Sequence, residues 1–333
     1  MLLSSSQILF ISTLILGTTL SISSTSWFGA WIGLELNLLS FIPLISSKNN
    51  QYSSEAALKY FLIQALGSSI IILTASLMLF TNSPTNTLMT IALLLKAGAA
   101  PFHFWFPSVM EGLQWPQAIT LMTIQKVAPL SLLSYLVSNI THPIFSSAII
   151  LSALVGAIGG INQTLLRKIM AYSSINHMAW MLMAISISET SWLLYFTFYS
   201  LIASSIALLF NYQDSFHISH VFNHTNFSPK IKLITFMSLL SLGGLPPFTG
   251  FIPKWLIIQE MIMSGLFFTL FILLMSALMT LFYYLRISIS ALMVSSPKTK
   301  WTTKNSNHST YTSFLIYINF FGLLAPNLFI LLI

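Results

Sequence analysis

Residues 93–107 read LLLKAGAAPFHFWFP. The run is apolar enough for a lipid bilayer, yet Lys96 stands inside it and Gly98 and Pro101 follow within five residues. Glycine weakens a helix, and proline removes a backbone donor and clashes with the preceding turn. The stretch therefore predicts a spanning helix that carries a charge and then breaks. A break frees N–H and C=O groups, each costly in lipid unless protein or water receives it. Such a break must face the interior of a helix bundle or a wet cavity.

The rest of the chain fits that setting. Of 333 residues, 56% are hydrophobic and only 6% charged, and the mean hydropathy is +0.84. A soluble domain carries about 25% charged residues. These charges are too few to cover a water-facing surface, so the chain reads as an integral membrane protein. Spanning helices need about 20 apolar residues, and about eleven such runs are predicted: 3–23, 27–46, 55–80, 86–107, 114–138, 143–162, 167–187, 190–211, 231–263, 266–293 and 311–332. The runs are uniformly apolar and too long for the alternating strands of a barrel. The expected fold is all-α, in a single transmembrane domain. The N-terminus lacks the basic start of a secretory signal and the arginine-rich pattern of a transit peptide, so it reads as the first spanning helix.

Thirteen Lys and Arg face six Asp and Glu. The excess carries topology rather than a nucleic-acid surface. Loops on the N-terminal side hold Lys48, Arg167, Lys168, Lys230, Lys232, Lys298, Lys300 and Lys304, and loops on the other side hold no Lys or Arg. By the positive-inside rule the N-terminus lies in the cytoplasm or its organellar equivalent, and eleven spans place the C-terminus opposite. With no cysteine, disulfides and thiolate-held metals or clusters are excluded.

The opening stretch has an echo. LLKAGAAPF (94–102) and LSLGGLPPF (240–248) match at Leu94/Leu240, Gly98/Gly244, Pro101/Pro247 and Phe102/Phe248, a constant offset of 146 (247 − 101). Gly243 and Pro246 reinforce the second break. The two fall in the fourth and ninth helices, an odd helix offset, as inverted repeats require. The expected repeats are about 1–138 and 143–293, followed by an extra helix at 311–333. Coincidence of two Gly-Pro kinks is the plainer alternative, since both residues are common in membrane helices.

Charges lie deep in these runs. Glu35 is eight residues past Trp27, roughly 12 Å along a helix, and Lys96 is ten past Asn86, roughly 15 Å. Lys126, in LMTIQKVAPLSLL, is similarly central, and Lys254 follows the second break. A charge at the bilayer centre costs about 2.5–3.5 kcal/mol. Snorkelling accounts for Lys59, four residues from Glu55, and for Arg286, but not for Lys96 or Lys126. A structural ion pair between Glu35 and a lysine and a path for ions or protons both remain open. Lysine suits the second, because arginine never gives up its proton. His177 has the chemistry of a proton relay and equally that of a helix–helix contact; His103 reads the same way. His217, His220 and His224 read as solvated loop histidines rather than metal ligands. No nucleotide-binding, phosphate-binding or hydrolytic motif is present. Gly156–Gly160 reads as a close-packing patch.

LLLKAGAAPFHFWFP, QKVAP, GGINQTLLRKIMAYSSINHMAWM and LSLGGLPPFTGFIPKW closely resemble the subunit 2 family of mitochondrial NADH:ubiquinone oxidoreductase, respiratory complex I, in its arthropod style. WIGLELNLLSFIPL and EAALKYFLIQA extend the likeness over nearly the whole chain. The resemblance implies an antiporter-like fold of inverted five-helix repeats, each with a broken helix. It also implies a proton-translocating membrane-arm subunit of the mitochondrial inner membrane, with the N-terminus in the matrix and the C-terminus toward the intermembrane space. The family's glutamate falls on Glu35, its paired lysine on Lys96, its central lysine on Lys126 and its exit-side lysine on Lys254. His177 matches a histidine of the family's polar axis. No cofactor is implied in this chain: NADH, flavin, iron–sulfur clusters and ubiquinone belong to partner subunits. Implied partners are neighbouring antiporter-like subunits, the small membrane subunits and lipids such as cardiolipin. A free-standing cation/proton antiporter would use the same charges without redox partners. A non-conducting scaffold would tolerate their replacement by apolar residues.

Overall fold

A computed structural model describes residues 5–46, 50–78, 83–137, 141–223 and 229–293. The described residues are helical, with no β-strand among them beyond one isolated bridge, Leu165 to His217. The chain forms two compact units, Met1–Ser152 and Ala153–Ile333.

The first unit contains α1 (Ser5–Ser23), α2 (Trp27–Ile45), α3 (Gln51–Leu77), α4 (Ser83–Ala97), α5 (Trp105–Gly112), α6 (Trp115–Met122) and α7 (Ile124–Ser134). The unit boundary falls within α8 (His142–Ile161). Ser26 starts α2 by accepting a hydrogen bond from Gly29 N at 3.2 Å. The helix α1 packs against α2 through Gly17 and Gly33; a methyl on Gly17 would lie 2.9 Å from Asn37 N and Gly33 O. The helix α3 packs on α2, α4 and α5, and α7 on α1 and α4.

Helix α3 shows why the interior is polar. Its exposed stripe is Leu58, Leu62, Leu66 and Leu73, while Tyr60, Gln64, Gly67, Ser68 and Thr74 are buried. The leucines fit lipid, and the small and polar groups find partners only inside. This inverts the pattern of a soluble helix.

The second unit contains the end of α8, then α9 (Leu166–Ile187), α10 (Glu189–Tyr212), α11 (Ile218–Asn223), α12 (Pro229–Gly243), α13 (Phe251–Met263) and α14 (Phe267–Met293). Helix α9 is buried along nearly its whole length and packs on α10, α13 and α14. Gly156 and Gly159 of α8 bring that helix against Asn176 and Tyr172 of α9, so the small-residue patch does pack closely. Arg286 donates to Ile161 O at 3.0 Å from an exposed position, and Lys59 pairs with Glu55 at 2.6 Å on an exposed face. Both are surface arrangements.

Among the described residues, six helices are long and apolar enough to cross a membrane: α1, α2, α3, α8, α10 and α14 through Ile289. The expected run 86–107 is instead α4, an interruption at 98–104, and α5. The expected continuous helix 114–138 is interrupted too. Thr123 departs from helical geometry at φ −112°, ψ −81°, and separates α6 from α7. Its hydroxyl donates to Ile119 O at 2.7 Å, a side-chain bond that competes with the helical ladder. The expected eleventh span, 311–332, lies outside the described residues, as do Lys48, Lys298, Lys300, Lys304 and His224.

Candidate functional site

Both breaks begin with the same backbone motif. Gly98 has φ +75°, Ala99 N donates to Leu94 O at 3.1 Å, and Gly98 N donates to Leu95 O at 3.2 Å. Gly244 has φ +78°, Leu245 N donates to Leu240 O at 3.5 Å, and Gly244 N donates to Ser241 O at 3.0 Å. This is a Schellman stop, in which a left-handed glycine lets two amides bond back into the helix that ends. The residues matched in sequence, Leu94/Leu240 and Gly98/Gly244, are the acceptor and the left-handed position. Pro101 and His103 follow in the first interruption, with His103 Nδ1 3.3 Å from Pro101 O. Pro246 and Pro247 lie in the second. Gly243 is an ordinary helical residue, and Gly244 alone supplies the turn.

Side chains add further bonds to the carbonyls of these helix ends. Trp105, from just past the first break, donates its Nε1 to Leu95 O at 3.1 Å, and Gln64 of α3 donates to Lys96 O at 3.3 Å. At the second break Lys254 reaches back from α13, and its Nζ donates to Gly243 O at 2.9 Å. Each of these lysines therefore stands at the C-terminal end of a half-helix: Lys96 within the last turn of α4, Lys254 beside the end of α12. The helix dipole favours a cation there. Lys126 is placed differently, in the first turn of α7, with its ammonium 5.0 Å over the Phe106 ring. There the aromatic face, rather than a helix end, attracts the charge.

Lys96 and Lys126 line one cavity with Asn37, Tyr60, Gln64 and Gln125. Its volume is about 20 Å³, above the roughly 10–15 Å³ that one water requires. The polar walls are tied together. Tyr60 donates to Gln125 Oε1 at 3.0 Å, and Gln125 Nε2 donates to Asn37 Oδ1 at 2.8 Å. Pro129 also lines the cavity; lacking an N–H, it leaves the Gln125 carbonyl without its helical donor. Glu35 Oε2 is buried with no hydrogen-bond partner. The structure thus brings Lys96 and Lys126 to one cavity and places Glu35 in the same unit.

Lys254 and His177 lie in the second unit, linked through two aromatic side chains. Lys254 Nζ lies 5.9 Å over the Trp180 ring, Trp180 stacks on Tyr195 at 6.5 Å, and Tyr195 shares a 2.8 Å hydrogen bond with His177 Nδ1. The Tyr199 ring lies 5.0 Å from His177. Among the described residues, no three His, Asp or Glu side chains are placed to hold a metal. His217 instead bonds Ser219 Oγ at 2.8 Å.

Several members of these clusters escaped the sequence reading. Asn37, Gln64 and Gln125 carried a usable signal, being polar residues inside apolar runs. Tyr60 and Tyr195 carried none, because an aromatic ring in a membrane helix is ordinary. The Gln125 bridge allows a check. Gln125→Leu leaves the Tyr60 hydroxyl and Asn37 Oδ1 without their partner, at about 1–3 kcal/mol for each unsatisfied group. The assembled protein should inactivate at a lower temperature; an unchanged inactivation temperature would show the bridge to be energetically idle.

The fold defines a class of helical membrane protein, and comparison with known proteins gives its family. The family model described as NADH:quinone oxidoreductase/Mrp antiporter, transmembrane, matches residues 24–280. The chain belongs to that family. It is 48% identical over 324 residues to NADH-ubiquinone oxidoreductase chain 2 of Anopheles gambiae, covering 95% of this chain and 94% of that one. It is 49% identical over 326 residues to the protein of the same name from Aedes aegypti, covering 95% of each. Among solved structures, a chain of respiratory complex I from Thermus thermophilus superposes with a TM-score of 0.81 at 24% identity, over 96% of this chain and 76% of that one. A chain of the Mrp complex from Dietzia gives 0.76 at 16% identity, over 90% and 64%. Both likenesses are of fold.

Proposed function

We propose that this chain is a proton-translocating membrane-arm subunit of the respiratory NADH:ubiquinone oxidoreductase of the mitochondrial inner membrane. One observation carries the reading: two buried lysines line a single polar cavity with room for water. A buried group of this kind responds to a charge that changes nearby. At about 10 Å and an effective dielectric of about 20, the response is roughly 1.7 kcal/mol. A change of charge at Glu35 alters how firmly Lys96 holds its proton, and water in the cavity carries the exchange to Lys126. From Lys126 the proton passes to Lys254, with His177 and Tyr195 as the polar groups beside it. The chain itself carries no redox group; electron transfer in partner subunits supplies the drive. The N-terminus faces the matrix, residues of about 1–138 and 143–293 are inverted repeats, and cardiolipin and the other membrane-arm subunits are the chain's partners.

The test uses the intact complex in liposomes. Glu35→Gln and Lys96→Met should each lower the protons moved per NADH oxidised, while NADH oxidation by a water-soluble acceptor is unchanged. Unchanged stoichiometry in both variants would refute the path and leave a scaffold. Proton or cation flux by the purified chain alone would favour an independent antiporter.

A further inference from the structure

Gly67 lies in the interior of α3, where glycine weakens a helix relative to alanine. Its backbone does not require glycine. The glycines with left-handed φ among the described residues are Gly98, Gly244 and Gly265. Close packing of helix backbones is the usual reason for such a residue in a membrane helix, and it accounts for other glycines here. A methyl on Gly33 would lie 2.5 Å from Ser21 N, and one on Gly156 would lie 2.6 Å from Asn176 N.

Gly67 differs. The three atoms nearest to a methyl there all belong to side chains: Lys96 Cγ at 2.9 Å, Lys96 Cε at 3.2 Å and Leu95 Cδ2 at 3.3 Å. The Lys96 stem lies in the gap that the missing side chain leaves. Gln64, one turn earlier on α3, holds the Lys96 carbonyl at 3.3 Å. The same helix therefore grips this lysine at backbone and stem, and Lys96 is only 5% exposed. A first atom at 2.9 Å on Cγ cannot be relieved by moving the tip of the chain alone, so the whole stem must swing.

We propose that Gly67 is a positioning residue for Lys96, leaving the groove in which the lysine stem lies so that its ammonium is held at the cavity it shares with Lys126. The assignment rests on the proton-transfer reading given above. Gly67→Ala displaces the stem while keeping the lysine.

The experiment measures the intact complex in liposomes across a pH series. Gly67→Ala should assemble and lower proton transport about tenfold, below the roughly hundredfold that a 1 Å misplacement can cost. The pH midpoint of transport should also move, because the displaced ammonium sits at a new distance from Lys126 across the cavity they share. Gly33→Ala is the contrast: its methyl meets backbone, so it should reduce the amount of complex without moving the midpoint. If Gly67→Ala does not assemble, Lys96→Ala in the same chain should restore assembly by removing the atoms that clash. Unchanged transport, a fall without a shifted midpoint, or an assembly defect that Lys96→Ala fails to rescue would each overturn the assignment. The underlying reading fails separately, on Lys96→Ala alone. If that variant transports normally, there is no lysine function for Gly67 to position.

Discussion

Lys126→Met is expected to leave the complex assembled and to cut proton transport by about two orders of magnitude, the scale lost when a positioned proton-transfer group is removed. Methionine has nearly the same length and is also unbranched, so it fills the same space. Its sulfur makes a favourable contact with an aromatic ring, here Phe106, which lies 5.0 Å from the lysine ammonium. Burying a neutral side chain in place of a cation does not destabilise a membrane interior. Structure and proton transfer are thereby separated: native-gel assembly and NADH oxidation by a soluble acceptor stay normal, while protons moved per electron fall. Wild-type stoichiometry in this variant would remove Lys126 from the path and would turn the cavity it lines into a packing defect.

The second large effect is structural. Gly250→Ala should abolish accumulation of the folded chain, whereas Gly243→Ala, seven residues earlier, should be tolerated. A methyl on Gly250 would fall onto the Ser241 carbonyl oxygen and lie 2.9 Å from the carbonyl carbon behind it. Backbone cannot step aside as a flexible side chain can, and that carbonyl also accepts the Gly244 N–H that ends α12. The clash therefore undoes the stop itself and, with it, the seat of Lys254 on Gly243 O. A methyl on Gly243 meets nothing closer than Leu281 Cγ at 3.6 Å, an ordinary contact. Measuring the amount of assembled complex distinguishes the two; normal assembly with Gly250→Ala would mean that the second break is not closed as described.

Much of this was legible in the sequence, for reasons that differ by element. The breaks announced themselves because a left-handed turn needs glycine, and Gly98 and Gly244 sit at the turning point of matching strings. The buried charges were legible because nothing else in an apolar run of 20 residues resembles Lys96 or Glu35. The interruption at Thr123 was not. It has no glycine, and threonine is unremarkable in a membrane helix until its hydroxyl bonds back to Ile119 O. Nor was Gly67 legible, since its meaning lies in a lysine 29 positions away (96 − 67) and only the packing of α3 on α4 brings them together. The path by which Lys254 reaches Gly243 O was hidden for the same reason. Sequence gives the charge but not the direction in which a four-carbon stem folds back.

Helix α9 has a consequence for how the chain is made. It opens with Arg167 and Lys168, carries Asn176 and His177 at its middle, and is not among the six helices apolar enough to cross a membrane by themselves. Its flanking helices α8 and α10 are. Left alone at the insertion machinery, α9 has little tendency to partition into lipid. Its buried faces meet α10, α13 and α14, so its polar middle is fully shielded only after those later helices have emerged.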